Sequence, residues 1–134
     1  MVKMDVSAAI IRNNNEILIC QKPLGKYNAL LWEFPGGKLE QGETAEQCIV
    51  RECFEELGVE IMVVGLFDEI THNYPEGTVH ISFFDAGIVS GEITLCEHAN
   101  AKWVTPEQLQ QYEFCAADRE VGEKLHIKSK DGIL

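Results

Sequence analysis

Glu52, Glu55 and Glu56 stand within five residues of one another directly after Arg51, and stability alone does not select such a run. Like charges on neighbouring helical positions repel, each pair costing a few tenths of a kcal/mol. A hard divalent cation removes that conflict. Mg²⁺ prefers oxygen ligands, keeps several waters, and is usually held by a few carboxylates together with substrate phosphates. Glu52 and Glu56 at i and i+4, with Glu55 between them, face one ion or cluster if the segment is helical. Arg51, four residues before Glu55, is spaced to pair with it, and Gly37 upstream allows the backbone to approach a metal closely. A Glu-rich helix face is more often simply solvated, so the carboxylates gain meaning only from what surrounds them.

The helix that must carry them is well marked. Thr44 is suited to N-cap a segment running to about Leu57, and Gly58 falls where a left-handed C-terminal residue is wanted. At ~100° per residue, Ile49, Val50, Cys53, Phe54 and Leu57 share an arc of roughly 140°, which predicts the core face; Glu52, Glu55 and Glu56 share a neighbouring arc of roughly 100°. Upstream, Asp5 to Ile11 and Glu16 to Gln21 read as a hairpin about Arg12-Asn13-Asn14-Asn15. Lys22 to Leu30 reads as a loop, and Leu31 to Phe34 as a short strand stopped by Pro35-Gly36-Gly37. Beyond the helix, Ile61 to Thr71 and Thr78 to Val89 are strand-like runs joined by a loop over Asn73 to Gly77, and Lys102 to Val104 is a further strand. Thr105 and Pro106 open a short helix through about Gln111, Asp118 to about Ile127 is a final helix, and Ser129 to Leu134 is a frayed tail. This order is that of a mixed α+β domain, expected to span residues 1–134 as one unit.

Composition narrows the function classes. With 134 residues, 46% hydrophobic and 25% charged, the chain can bury one core without staples. Eleven Lys and Arg against 22 Asp and Glu give a formal net charge of −11, which disfavours nucleic-acid polymers and anionic membranes as partners. Small phosphate ligands are still accessible, because a bound divalent cation inverts the local field. Cys20, Cys48, Cys53, Cys96 and Cys115 are an odd set without a Cys-x-x-Cys pair, which argues against a disulfide framework or zinc ribbon and suits a reducing compartment. No cationic-apolar leader or apolar run of spanning length is evident, so a cytoplasmic protein is expected, as monomer or homodimer. His72, His80, His98 and His126 show no metal-ligand spacing and read as structural.

Gly37, Glu43, Arg51-Glu52, Glu55-Glu56, Gly58 and Val59 together resemble the Nudix box of the Nudix hydrolases, matching every fixed position over 23 residues apart from Cys53 in place of an aliphatic. The resemblance implies a Nudix fold, a mixed β-sheet sandwiched between α-helices, and hydrolysis of a nucleoside diphosphate linked to another moiety. It implies Mg²⁺, with Mn²⁺ as an alternative. Glu52, Glu55, Glu56 and the carbonyl of Gly37 would hold the metal, Glu43 and Arg51 would support the loop and helix, and Glu52 is one candidate general base. Outside the box, Leu31 to Lys38, Cys96-Glu97-His98, Trp103 and Phe114 to Asp118 are similar to MutT-like nucleoside triphosphate pyrophosphohydrolases. That likeness favours a nucleoside triphosphate cleaved to monophosphate and pyrophosphate, with oxidised guanine and cytosine nucleotides both open. It places Glu97 as a further acidic residue at the metal, or else an ordinary loop glutamate. Asp118 either reads the base edge or caps the last helix. Phe34 and Trp103 either pack near the base or fill the core; Lys22 and Lys38 either touch phosphate or are solvated. Hydrolysis of ADP-ribose or dinucleoside polyphosphates is an alternative within the family. A non-catalytic nucleotide sensor is a second, weakened by the presence of all three box glutamates.

Overall fold

Asn14 adopts a left-handed φ of 55°, and the chain reverses there between β1 (Val2–Asn13) and β2 (Glu16–Gln21). The computed structural model describes residues 2–130; the expected tail is helical at Ser129 and Lys130, and its remainder, 131–134, lies outside the described residues. Four strands expected from the sequence lengthen: β1 grows from Asp5 to Ile11, and the later three become β5 (Glu60–Tyr74), β6 (Gly77–Ser90) and β7 (Asn100–Val104). The turn between β5 and β6 shrinks to Pro75-Glu76, so Asn73 and Tyr74 belong to the strand rather than to the expected loop.

The strand expected over Leu31 to Phe34 is shorter, and the Gly36-Gly37 expected to stop it opens a further strand. β3 (Trp32–Glu33) pairs with β2, and β4 (Gly36–Lys38) pairs antiparallel with Val6–Ala8 of β1. Paired glycines ordinarily signal the end of a strand, but Gly36 is required by this pairing: a Cβ there would collide with the Ser7 carbonyl and the Ala8 backbone. The chain thus crosses from one half of the sheet to the other at Phe34-Pro35, with the Pro35 carbonyl accepting from Ala9 N–H at 2.8 Å.

The seven strands form a mixed sheet in the order β3-β2-β1-β6-β5, with β4 on β1 and β7 on β2; β1 and β6 run parallel, and the other pairings are antiparallel. Period-two alternation sends Ala8, Ile10, Ile17 and Ile19 to one face and Ala9, Ile11, Leu18 and Cys20 to the other. α1 (Ala45–Leu57) covers the second face with Ile49, Cys53 and Leu57. α2 (Ala116–Lys130) covers the first with Ala117, Val121 and Leu125, beside a 3₁₀ helix over Pro106–Gln111. This is the expected α+β architecture, a sheet between helices.

Burying an Ile or Leu side chain contributes about 1.5–3 kcal/mol, so Ile49 and Leu57 fix the rotation of α1 and with it the direction of Glu52 and Glu56. The buried arc differs from the predicted one: Cys48, Ile49, Cys53, Glu56 and Leu57 are buried, while Val50 and Phe54 are exposed. The helix is turned toward β4, where Cys48 Sγ lies 3.5 Å from the Gly37 carbonyl and Glu56 Oε1 accepts from Gly36 N–H at 3.2 Å. Among the described residues no helix is long and apolar enough to cross a membrane, and all five cysteines are free.

Candidate active site

α1 starts with a closed capping box: Thr44 Oγ1 accepts from Gln47 N–H at 3.1 Å and Gln47 Oε1 accepts from Thr44 N–H at 3.0 Å. The loop before it is pinned by Arg51. Its guanidinium donates twice to Glu43, at 2.7 and 2.9 Å, and also to Glu55 at 2.8 Å, Glu52 at 3.1 Å and the Lys38 carbonyl at 3.1 Å. The expected Arg51–Glu55 pair is therefore one strand of a larger knot. The Arg51 hydrogen bonds hold the Glu43 carboxyl low, at about 2, and Glu43 in turn raises the Arg51 guanidinium above its ordinary range.

One cleft, of about 430 Å³, is lined by Gly36, Gly37, Glu56 and Glu97, and also by Lys22, Lys26, Glu33, Phe34, His98 and Asp118. Glu97 is brought there by backbone bonds that tie its segment to the end of α1: Thr94 N–H donates to the Leu57 carbonyl at 2.8 Å and Cys96 N–H to the Glu56 carbonyl at 3.2 Å. Glu52 lies against Gly37, where any Cβ would occupy the space of its carboxylate. Burial pushes Glu56 up to about 9, helped by the negative charges of Glu33, Glu52 and Glu97. Burial also raises Glu52, partly offset by Arg51.

These residues suit a hard divalent cation: the donors are carboxylate oxygens, their mutual repulsion is only partly relieved by Arg51, and the glycine at 37 leaves a cradle that a side chain would fill. Among the described residues no three His, Cys, Asp or Glu side chains already converge as a ligand shell, because Glu52 and Glu55 are turned onto Arg51. Glu55 is half exposed and outside the cleft lining.

Across the cleft, Asp118 is in the first turn of α2, which starts two residues earlier than expected. Its Oδ1 accepts from Phe34 N–H at 2.9 Å, a tertiary contact made from the first turn of the helix. Burial raises its carboxyl to about 7, with the Phe34 N–H opposing and the Glu33 charge assisting. Phe34 is buried, stacked on Phe114 at 5.7 Å and edge-on to Phe83 at 6.2 Å, and so serves both core and cleft. Lys22 lines the cleft with its Nζ 4.0 Å from Glu33 Oε1.

Besides Glu52 and Glu55, two further expected site residues lie outside the cleft lining. Lys38 is exposed and outside the cleft lining, offering only its carbonyl to Arg51. Trp103 packs with the α1-side cluster, because the register of β7 on β2 pairs it with Leu18 on that face. His72, His80 and His126 lie outside the cleft, as a structural reading requires, but His98 does not. It is buried in the cleft wall with Nε2 3.0 Å from Glu33 Oε2. Sequence reasoning alone misses both Glu33 and His98. Alternation offers one signal: Trp32 and Phe34 are apolar and buried, which sends Glu33 to the opposite side.

The sequence profile of the NUDIX domain matches residues 1–127. A CTP pyrophosphohydrolase of Escherichia coli (strain K12) is 35% identical over 118 residues, 88% of this chain and 87% of the relative. An 8-oxo-dGTP diphosphatase of the same organism is 35% identical over 126 residues, 93% of this chain and 98% of the relative. Among solved structures, the solution structure of the E. coli ORF135 protein superposes with a TM-score of 0.83 at 32% identity, covering 96% of this chain and 92% of that one. A crystal structure of MutT protein from Methanosarcina mazei Go1 gives 0.82 at 26% identity, covering 96% of each chain.

Proposed function

This chain belongs to the NUDIX domain family, and from that premise we propose that it is a MutT-like nucleoside triphosphate pyrophosphohydrolase, releasing the monophosphate and pyrophosphate with the aid of Mg²⁺. The observation that carries this reading is the segment Phe34-Pro35-Gly36. Its two N–H groups fasten one carboxylate from each helix, Asp118 from α2 and Glu56 from α1, and so set a group able to read a base beside a group able to hold a metal.

Glu52, Glu55, Glu56, Glu97 and the Gly37 carbonyl would hold the cation. When bound, such an ion neutralises phosphate charge and lowers the pKa of a coordinated water. Arg51 positions the first two of these carboxylates and keeps the loop before α1 closed on the helix. Glu52, held beside Gly37, is the residue assigned as general base. Lys22 offers a positive charge to phosphate at the cleft wall. Phe34 supplies an apolar floor for the base, and Asp118 retains Oδ2 for its polar edge, since Oδ1 is engaged. An ionised carboxyl accepts from an exocyclic amino group, which cytosine and guanine both carry. The E. coli relatives named for CTP and for 8-oxo-dGTP fit that pair of bases.

The test is pyrophosphate release by the purified protein with Mg²⁺ across canonical, methylated and oxidised nucleoside triphosphates, with ADP-ribose and a dinucleoside polyphosphate beside them. Release from a cytosine or oxidised guanine triphosphate, abolished by Glu52→Gln, is expected. No release from any triphosphate overturns the substrate assignment, and release indifferent to Glu52→Gln overturns the catalytic one.

A further inference from the structure

We propose that His98 is a positioning residue for nucleotide binding that acts through Glu33, holding the Glu33 carboxylate inside the cleft as an acceptor for a donor group of the nucleotide. The inference rests on the nucleotide reading of the same cleft. His98 follows the exposed Glu97, yet its side chain is only 3% exposed, and its neighbour Ala99 is anchored by N–H donation to the Gln21 carbonyl at 2.9 Å. Its Nε2 lies 3.0 Å from Glu33 Oε2, while the buried Nδ1 has no hydrogen-bond partner in the protein. A buried imidazole with one polar partner is committed to that partner, and the geometry makes Nε2–H the donor to the carboxylate.

The cleft itself works against Glu33. Its carboxylate shares the space with Glu56 and Asp118, so neither neighbour can hold it there by charge. Two groups hold it, Lys22 at 4.0 Å from Oε1 and His98 at 3.0 Å from Oε2. The lysine contact is long and carried on a flexible stem, so the imidazole fixes the orientation. Held there, Glu33 lies between the carboxylates of α1 and Asp118 of α2, where an amino or hydroxyl group of a bound nucleotide would meet its free lone pairs.

Steady-state kinetics with the preferred triphosphate at saturating Mg²⁺ test this. His98→Leu is expected to raise KM about tenfold with kcat within about twofold, the scale of one lost hydrogen bond to a charged group. His98→Gln, whose amide nitrogen reaches the position of Nε2, is expected to restore KM to within about threefold. In a Glu33→Gln background, His98→Leu is expected to change KM no further. Should His98→Leu fail to melt cooperatively, the comparison passes to His98→Gln against His98→Asn, whose shorter amide falls short of Glu33. An unchanged KM in His98→Leu, or an equal KM penalty with and without Glu33→Gln, overturns the proposal. A wild-type protein that turns over no triphosphate overturns instead the functional reading on which it rests.

Discussion

Gly36 and Gly37 are adjacent, and each would meet an obstacle as alanine, but the obstacles differ in kind. At Gly36 the added Cβ collides with backbone of β1, which cannot yield; at Gly37 it meets the end of the Glu52 side chain, which can. Gly36→Ala is therefore expected to lower the melting temperature markedly, by several kcal/mol of lost stability. Gly37→Ala is expected to melt close to wild type and to lose pyrophosphate release by tenfold or more, as Glu52 is displaced. Thermal melts beside turnover assays on both variants separate the two effects. Asp118 gives a prediction in pH. Its carboxyl is raised from the ordinary aspartate value to about 7 in the folded protein, so the native state binds the proton more tightly than the unfolded chain. Stability from this group is full below about pH 4 and is lost as pH rises to 7, every tenfold difference in proton affinity being worth about 1.4 kcal/mol. In melts from pH 4 to 9, the stability of wild type relative to Asp118→Asn should fall up to about pH 7 and stay level above it. A difference independent of pH would mean that Asp118 is ionised throughout.

The element that the sequence conveys least well is the crossing from β3 to β4. Helix α1 is legible because capping, the C-terminal glycine and the Ile49-Cys53-Leu57 spacing are local signals, and each found its expected place. The Nudix box is legible for the same reason, since its residues are neighbours in the chain. Val50 and Phe54 fall outside the buried arc because hydrophobicity alone does not set it, whereas Cys48 and Glu56 make their contacts with β4. β4 cannot be read from Gly36-Gly37-Lys38, because its reason for being a strand is a partner far upstream, Val6–Ala8. His98 is hidden in the same way: its role depends on Glu33, 65 residues away. Lys38 misleads because it stands within the box beside a cleft residue, Gly37, yet is exposed and does not line the cleft itself.

Over the whole molecule, a net charge of −11 acts against compactness, and like charge is concentrated where Glu33, Glu52 and Glu97 crowd the buried Glu56. Mg²⁺ is accordingly expected to raise the melting temperature in a concentration-dependent way. The shift should shrink sharply in Glu56→Gln and be much smaller with the same ionic strength of a monovalent salt, which only screens; equal shifts in wild type and variant would place the ion elsewhere. The sheet keeps α1 and α2 on opposite faces, and the amides of Phe34 and Gly36 join a carboxylate of each. Those two amides are two residues apart, no more than about 7 Å along the chain, with a proline of fixed φ between them. The distance between Asp118 and Glu56 is thus governed by bond lengths, not by how two helices happen to settle. On the reading proposed above, the enzyme carries a gauge block: thermal breathing of either layer leaves the span from base edge to reacting phosphate unaltered, and a ligand is accepted by whether its own length fits.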